Sequence, residues 1–400
     1  MKRQNIKLLT AITAALFSTG ALLFTLVALI QSTPLSETQI INNQNNQIFS
    51  NNNTTTSSKS IDTTPVIPEE PLTNTTDKYR PAVFASIPYW DQERAFLSFK
   101  EHVNQIDYVS LFWYNLRSNG SIATYQYAKE DKSIIDYAKK NGVKTFVLIA
   151  NLPDEDDGEN WDSKRVERVI IDPEKRKNHI NDIATLVERN DVDGVNIDYE
   201  NLDDDLEPYF TQFINELSEA LHDKGKIVAV ALHPQQSNDD HTWAQNWKKL
   251  ALSADQLIIM AYDEHWVEGD PGPIASYSWV KGTLEFARDL TIPMEKVLLG
   301  MPLFGNDWGG KRGGIGIEYE DAIRLAETYE VTPTFDEKTF SLYFTYRSQG
   351  RSHEVWFEDV RSFLKKLELA NEFRVAGIAL WRLGREDTRI WDYISVKVDR

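Results

Sequence analysis

The sequence predicts a closed (β/α)8 TIM barrel carrying a small α+β insertion between its seventh and eighth strands. Three observations lead there. Eight short apolar runs alternate with amphipathic helical segments between Lys78 and Arg400, a pattern that means a parallel sheet covered by helices. Eight repeats over that span favour a closed barrel over an open doubly wound sheet, and no Gly-x-Gly-x-x-Gly follows the first run to suggest a dinucleotide site. The interval from Asn306 to about Arg374 is too long for one connecting helix and so reads as an insertion on the upper rim.

The elements follow in chain order. Met1 to Lys7 hold Lys2, Arg3 and Lys7, and Leu8 to Ile30 is uncharged throughout. That is about the ~20 residues that span a bilayer as a helix, with the N-terminus held in the cytoplasm by its positive charge. The stretch is either a single-pass anchor or a cleaved signal segment; its end, VALIQS, fits a cleavage site poorly. Residues 31–77 are mostly Asn, Gln, Ser and Thr and lack the apolar side chains to offset the entropy of ordering, so a disordered polar linker is expected. The barrel domain then runs over 78–400. Its expected strands are Ala82 to Pro88, Tyr108 to Tyr114, Lys144 to Asn151, Gly194 to Glu200, Ile227 to His233, Gln256 to Tyr262, Val297 to Phe304 and Val375 to Trp381. Helices are expected at Lys132 to Asn141, Pro173 to Asn190, Leu206 to Lys224 and Trp279 to Leu290, the first and third closed by Gly142 and Gly225. Within the insertion, about 306–374, a helix near Tyr319 to Tyr329 precedes two strand-like runs, Thr339 to Tyr346 and His353 to Phe357, and a helix from Glu358.

Composition narrows the function. No cysteine is present, so the fold rests on its core alone. Sixty-one acidic against 43 basic residues give a formal charge of -18, which argues against nucleic acid as a partner. Eleven Trp and sixteen Tyr exceed ordinary core needs only in part, and their flat amphipathic faces suit sugar rings.

In a barrel of this kind the chemistry lies at the C-terminal ends of the strands. Those ends carry Tyr89, Trp90 and Asp91; Trp113, Tyr114 and Asn115; Asn151; Asp198 and Glu200; His233 and Gln235; Tyr262, Asp263, Glu264 and His265; Phe304 and Asn306; and Trp381 and Arg382. Carboxylates ringed by aromatics describe a carbohydrate cleft. The fourth strand, VDGVNIDYE, is the most informative. Alternation puts Asn196, Asp198 and Glu200 on one face and Val195, Ile197 and Tyr199 on the other. Residues two apart lie roughly 7 Å apart along a strand, close enough for Asp198 to perturb the proton affinity of Glu200. A solvated edge strand is the plain alternative.

The run Asp193-Gly-x-Asn196-x-Asp198-x-Glu200 resembles the fourth-strand signature of family 18 glycoside hydrolases, the chitinase-like enzymes. Met260-Ala261-Tyr262-Asp263 resembles their sixth-strand motif, Gly300-Met-Pro-Leu-Phe-Gly305 their seventh, and Trp381 the tryptophan that floors their sugar site. The runs MAYDEHW, DPGPIASYSWV and EVWFEDVRS look most like the bacterial branch of spore-cortex and peptidoglycan hydrolases.

That resemblance implies an enzyme, a glycosidase acting by substrate-assisted retention on β-1,4 bonds of glycans that contain N-acetylglucosamine, with no cofactor. Family 18 is an exception to the two-carboxylate scheme of retaining glycosidases. It implies Glu200 as general acid and base, Asp198 as orienter of the substrate's acetamido group and Tyr262 as its hydrogen-bond donor. Tyr89, Trp113, Asn151, Asn196, Asp263 and Trp381 are the expected substrate-binding residues. Where many chitinases have a second aspartate, this chain has Asn196, which cannot take up a proton from Asp198. A noncatalytic glycan-binding protein on the same fold, or a double-carboxylate glycosidase with Asp198 as nucleophile, remain the competing readings. The seven histidines show no metal-binding spacing, no metal is expected, and a structural hydrogen bond is expected for His265. The expected location is the cell membrane with the catalytic domain outside, or secretion if the first segment is cleaved.

Overall fold

The computed structural model describes residues 79–153, 161–237, 241, 244–310 and 313–397, all within the unit Val66–Arg400. The expected membrane segment over 1–30 and the polar linker over 31–77 lie outside them. Among the described residues no helix is long and apolar enough to cross a membrane.

The first eight strands are β1 (Ala82–Ile87), β2 (Tyr108–Leu116), β3 (Ile122–Thr124), β4 (Lys144–Ala150), β5 (Gly194–Asp198), β6 (Ile227–Leu232), β7 (Gln256–Ile259) and β8 (Val297–Pro302). The insertion supplies β9 (Phe304–Gly310), β10 (Gly313–Glu318), β11 (Thr334–Asp336), β12 (Ser341–Ser348) and β13 (Arg351–Phe357), and β14 (Gly377–Trp381) is last. β1 pairs in parallel with both β2 and β14, closing the ring β1-β2-β4-β5-β6-β7-β8-β14. β3 is an antiparallel flap on the upper end of β2.

Side-chain parity separates two apolar layers, because successive residues of a strand point to opposite faces. Phe84, Phe146, Ala229, Ile258, Leu298 and Ala379 fill the bottom of the barrel. The alternate residues, among them Val195, Ile197, Tyr199, Leu257 and Ile259, pack outward against the helices. Each large apolar side chain buried this way stabilises by about 1.5–3 kcal/mol, enough to hold the polar residues of β5 on the inner face.

The helices are α1 (Gln92–Glu101), α2 (Lys132–Lys140), α3 (Ser163–Ile170), α4 (Pro173–Asn190), α5 (Glu207–His222), α6 (Trp247–Leu250), α7 (Tyr277–Asp289), α8 (Tyr319–Thr328) and α9 (Val360–Phe373). Asp131, Asp162 and Asp172 accept from first-turn amides of α2, α3 and α4, and Pro173 opens α4 where a missing N–H costs nothing. Asp359 and Ser362 form a reciprocal capping box on α9. Gly142 and Gly225 have φ of 66° and 67°, the left-handed conformation that ends α2 and α5.

The insertion has more strands than the two expected between its two helices. Its sheet has five antiparallel strands in the order β10-β9-β13-β12-β11. Glycines at 305, 309, 310, 313, 314 and 316 give β9 and β10 the composition of a loop, yet Gly305 and Gly309 stand where any Cβ would collide with β13, at Trp356 O and His353 respectively. α8 covers one face through Ala322 and Ala326 against Leu342, Phe344, Val355 and Phe357. Asp307, 5% exposed, accepts from Tyr346 Oη at 2.6 Å and contacts His353 Nδ1 at 2.9 Å.

Candidate active site

β5 delivers the acids. Asn196 and Asp198 are buried on its inner face at 4% and 5% exposure, and Glu200 follows just beyond the strand with a 15% exposed side chain. Asp198 and Glu200 are hydrogen-bonded to each other. Burial pushes Asp198 up to about 7, offset in part by that bond. Glu200 is raised well above the ordinary carboxyl value, first by burial and then by the charges of Asp198 and Asp263. Two carboxyls in one low-dielectric site cannot both ionise easily, so one proton is shared between them.

The backbone of Glu200 is fixed from β4. Asn151 is wholly buried; its Nδ2 donates to Glu200 O at 3.0 Å and its Oδ1 accepts from Glu200 N at 2.9 Å. Both ends of the amide are committed, which corrects the expectation that Asn151 binds substrate: it positions the acid. On the other side Gln245, also wholly buried, donates to Tyr199 O and to Ala231 O and accepts from His233 N at 2.7 Å. His233 thereby sits with Nε2 3.4 Å from Glu200 Oε2. Behind the strand Tyr199 Oη meets His179 Nε2 at 2.8 Å within the helix layer.

Tyr262 extends from β7 on the same inner parity as Ile258. Burial raises its phenol well above its ordinary value, and the charges of Asp198, Asp263 and Glu200 add to this, so it remains a donor. Gly300 of β8 leaves it room, since a Cβ there would meet Ile259 O at 2.5 Å and Tyr262 Cε1 at 3.0 Å. Phe304 abuts the Tyr262 ring at 6.0 Å, and Trp308 and Trp356 of the insertion pack in the same cluster. Asp263, at a φ of 63°, is exposed beside it. His265 Nδ1 contacts Asp270 O at 2.9 Å, the structural role expected.

The aromatic floor comes from three strand ends. Trp381, partly exposed, clusters with Tyr89, Phe112, Leu148 and Trp161. Trp90 lies 6.1 Å from Trp381, and Tyr89 lies 5.3 Å from Phe112. Trp113 is absent from this floor, which corrects a second expectation. Trp113 shares the outward parity of Val109 and Leu111, and a bulge that shifts the register between Phe112 and Tyr114 turns Tyr114 outward beside it. Trp113 is wholly buried in the barrel–helix layer, where its Nε1 donates to Gln92 Oε1. Phe112 holds the place expected for it. Strand parity carried the signal, because Val109 and Leu111 point to the helices and therefore Phe112 points inward.

Arg382, 6% exposed and next to the floor tryptophan, bonds Asp91 Oδ2 at 3.1 Å and Glu318. Arg385 joins Asp91 and Asp321, so the end of β14 is tied both to the end of β1 and to the insertion. In the acidic stretch that follows β5, Asp203 pairs with Lys164 at 2.9 Å and Asp204 with His241 at 3.0 Å. Among the described residues no group of His, Asp and Glu could hold a metal ion.

A family model, Glycosyl hydrolases family 18, matches residues 84–386. The chain belongs to family 18 of the glycosyl hydrolases. It is accordingly a glycosidase. The family 18 chain is 30% identical over 266 residues to the uncharacterized glycosylase YvbX of Bacillus subtilis (strain 168), covering 65% of this chain and 76% of the relative. It is 31% identical over 282 residues to the putative sporulation-specific glycosylase YdhD of the same organism, covering 69% and 65%. Its fold matches the crystal structure of the spore cortex-lytic enzyme SleL of Bacillus cereus with a TM-score of 0.71 at 23% identity, covering 79% of this chain and 74% of that one. The bacterial spore-cortex branch suggested by the motifs is among those these comparisons return, beside chitinases.

Proposed function

We propose that this family 18 enzyme cleaves β-1,4 bonds next to N-acetylglucosamine in peptidoglycan or a chitin-like glycan by substrate-assisted retention. The observation that carries the reading is the hydrogen-bonded Asp198–Glu200 pair inside the barrel, between the Tyr262 phenol and the Trp381 floor. Glu200, held protonated by burial, gives its proton to the leaving oxygen. The substrate's acetamido oxygen bonds C1 as the C1–O bond breaks. Asp198 Oδ1 and Asn196 Oδ1 have no donor among the described residues, and they supply acceptors for the acetamido N–H, while Tyr262 donates to its oxygen. Glu200 then takes a proton from the water that opens the intermediate. Relatives named for spore-cortex and sporulation glycan lysis support the wall polymer as substrate.

The location is part of the proposal. Lys2, Arg3 and Lys7 ahead of the uncharged Leu8 to Ile30, followed by the polar residues 31–77, would anchor the catalytic domain on the outer face of the membrane within reach of the wall. Membrane fractionation after protease treatment of intact cells tests it: recovery of the intact domain inside the cell would refute it.

For the activity, full-length protein in mild detergent is incubated with purified peptidoglycan and with chitin oligomers, beside Glu200→Gln. New reducing ends that fall ~10²- to 10⁴-fold in the variant are expected, the usual worth of a general acid. Equal silence from both proteins on every glycan, with binding retained, would leave a glycan-binding protein instead. A thiazoline analogue of the acetamido group should inhibit; indifference to it would favour Asp198 as a direct nucleophile.

A further inference from the structure

Glu200 has one basic neighbour that the mechanism above leaves unused. His233 follows β6 on the inward parity of Ala229 and Ala231, and its Nε2 stands 3.4 Å from Glu200 Oε2. Among the described residues it is the one basic side chain within 4 Å of either acid. The contact is built into the fold. Gln245 holds the backbone amide of His233 and the carbonyl of Tyr199, the residue before Glu200, in a single buried amide, and Asn151 holds Glu200 from the opposite side. Two strand ends are therefore fixed so that His233 Nε2 stands beside the Glu200 carboxyl.

We propose that His233 is a positioning residue for the acid, its Nε2–H donating to the Glu200 carboxylate that forms when the proton leaves. This inference rests on Glu200 being the general acid. In the step concerned the Glu200 proton passes to the glycosidic oxygen as C1–O breaks and C1 bonds the acetamido oxygen. His233 keeps its own proton throughout. Burial, reinforced by the charge of His241, lowers the imidazole to about 4, so it is neutral at neutral pH and acts as a dipole. The titratable groups around the pair are Asp198 and Asp263, which both act on Glu200, Tyr262, which feels the same charges, and His241, itself paired with Asp204. Asp198 and Asp263 destabilise a charged Glu200, and His233 opposes them.

The sign follows. A donor to the charged form favours it, so removing the donor raises the Glu200 pKa and weakens the acid. His233→Ala should move the alkaline limb of the kcat/KM profile upward by about one unit and lower kcat ~10- to 100-fold with KM nearly unchanged, the scale of a hydrogen bond to a charged group. His233→Gln, which restores an N–H, should recover most of both. A second readout needs no turnover: the His233 ring resonance, assigned by its loss in His233→Gln, should show an inflection where Glu200 ionises, and that inflection should vanish in Glu200→Gln. An unmoved pH limb in His233→Ala, or a His233 resonance indifferent to Glu200→Gln, overturns the proposal. Activity untouched by Glu200→Gln would instead sink the assignment of Glu200, a failure distinct from a silent resonance.

Discussion

Asn151 grips Glu200 at both the amide and the carbonyl of its backbone, at 2.9 and 3.0 Å, from a site with no exposure to solvent. Removing that grip leaves two buried backbone groups without partners. Asn151→Ala should cost about 1–3 kcal/mol in urea unfolding and lower kcat more than it raises KM, because the acid is mis-set while the floor is untouched. A rise in KM at constant kcat would return Asn151 to the substrate-binding role.

Asp198 predicts a pH-dependent penalty on stability. Its carboxyl ionises near 3.8 when unfolded and near 7 when folded. A group whose proton affinity rises on folding opposes folding once the unfolded chain ionises, so the cost begins above about pH 4, grows to about pH 7 and is then constant. Asp198→Asn should therefore stabilise the protein against urea at pH 8 and leave stability nearly unchanged at pH 4, while activity falls. Equal stabilisation at the two pH values would contradict the burial cause.

Trp113 and Trp381 separate packing from binding. Trp113→Phe should lower the unfolding midpoint, losing buried volume and the bond to Gln92, with KM unchanged. Trp381→Ala should raise KM ~10- to 100-fold, the affinity equivalent of the 1.5–3 kcal/mol carried by an aromatic face, with little change in stability. The reverse assignment in steady-state kinetics would restore Trp113 to the cleft.

Asn196 is 4% exposed beside Asp198. Asn196→Asp adds a like charge at low dielectric, so the pH–rate profile should shift upward as the shared proton is held more tightly. An unshifted profile would mean that position 196 does not couple to the pair.

The barrel was legible because each of its strands advertises two buried faces, and a run such as IVAVAL leaves no other reading. The acids were legible because charge on the inner face of an apolar strand has no structural use. Trp113 misled because its aromaticity was read without the strand parity that Val109 and Leu111 set, which turns position 113 to the helices. Asn151 misled because a buried amide serves backbone or ligand equally well until its partners are seen. The strands β9 and β10 were hidden in glycines, and at Gly305 and Gly309 of β9 the reason for glycine, close approach to β13, is tertiary.

β1 and β14 are the first and last strands of the ring, so their pairing is the one seam that chain connectivity does not stitch. Arg382, bound to Asp91 across that seam, stands directly after the tryptophan on which a sugar would rest. A glycan lying over Trp381 then spans the join between the two ends of the domain and acts as a clasp. Its binding free energy would be added to barrel closure, and saturating oligosaccharide should slow unfolding that begins by parting these two strands.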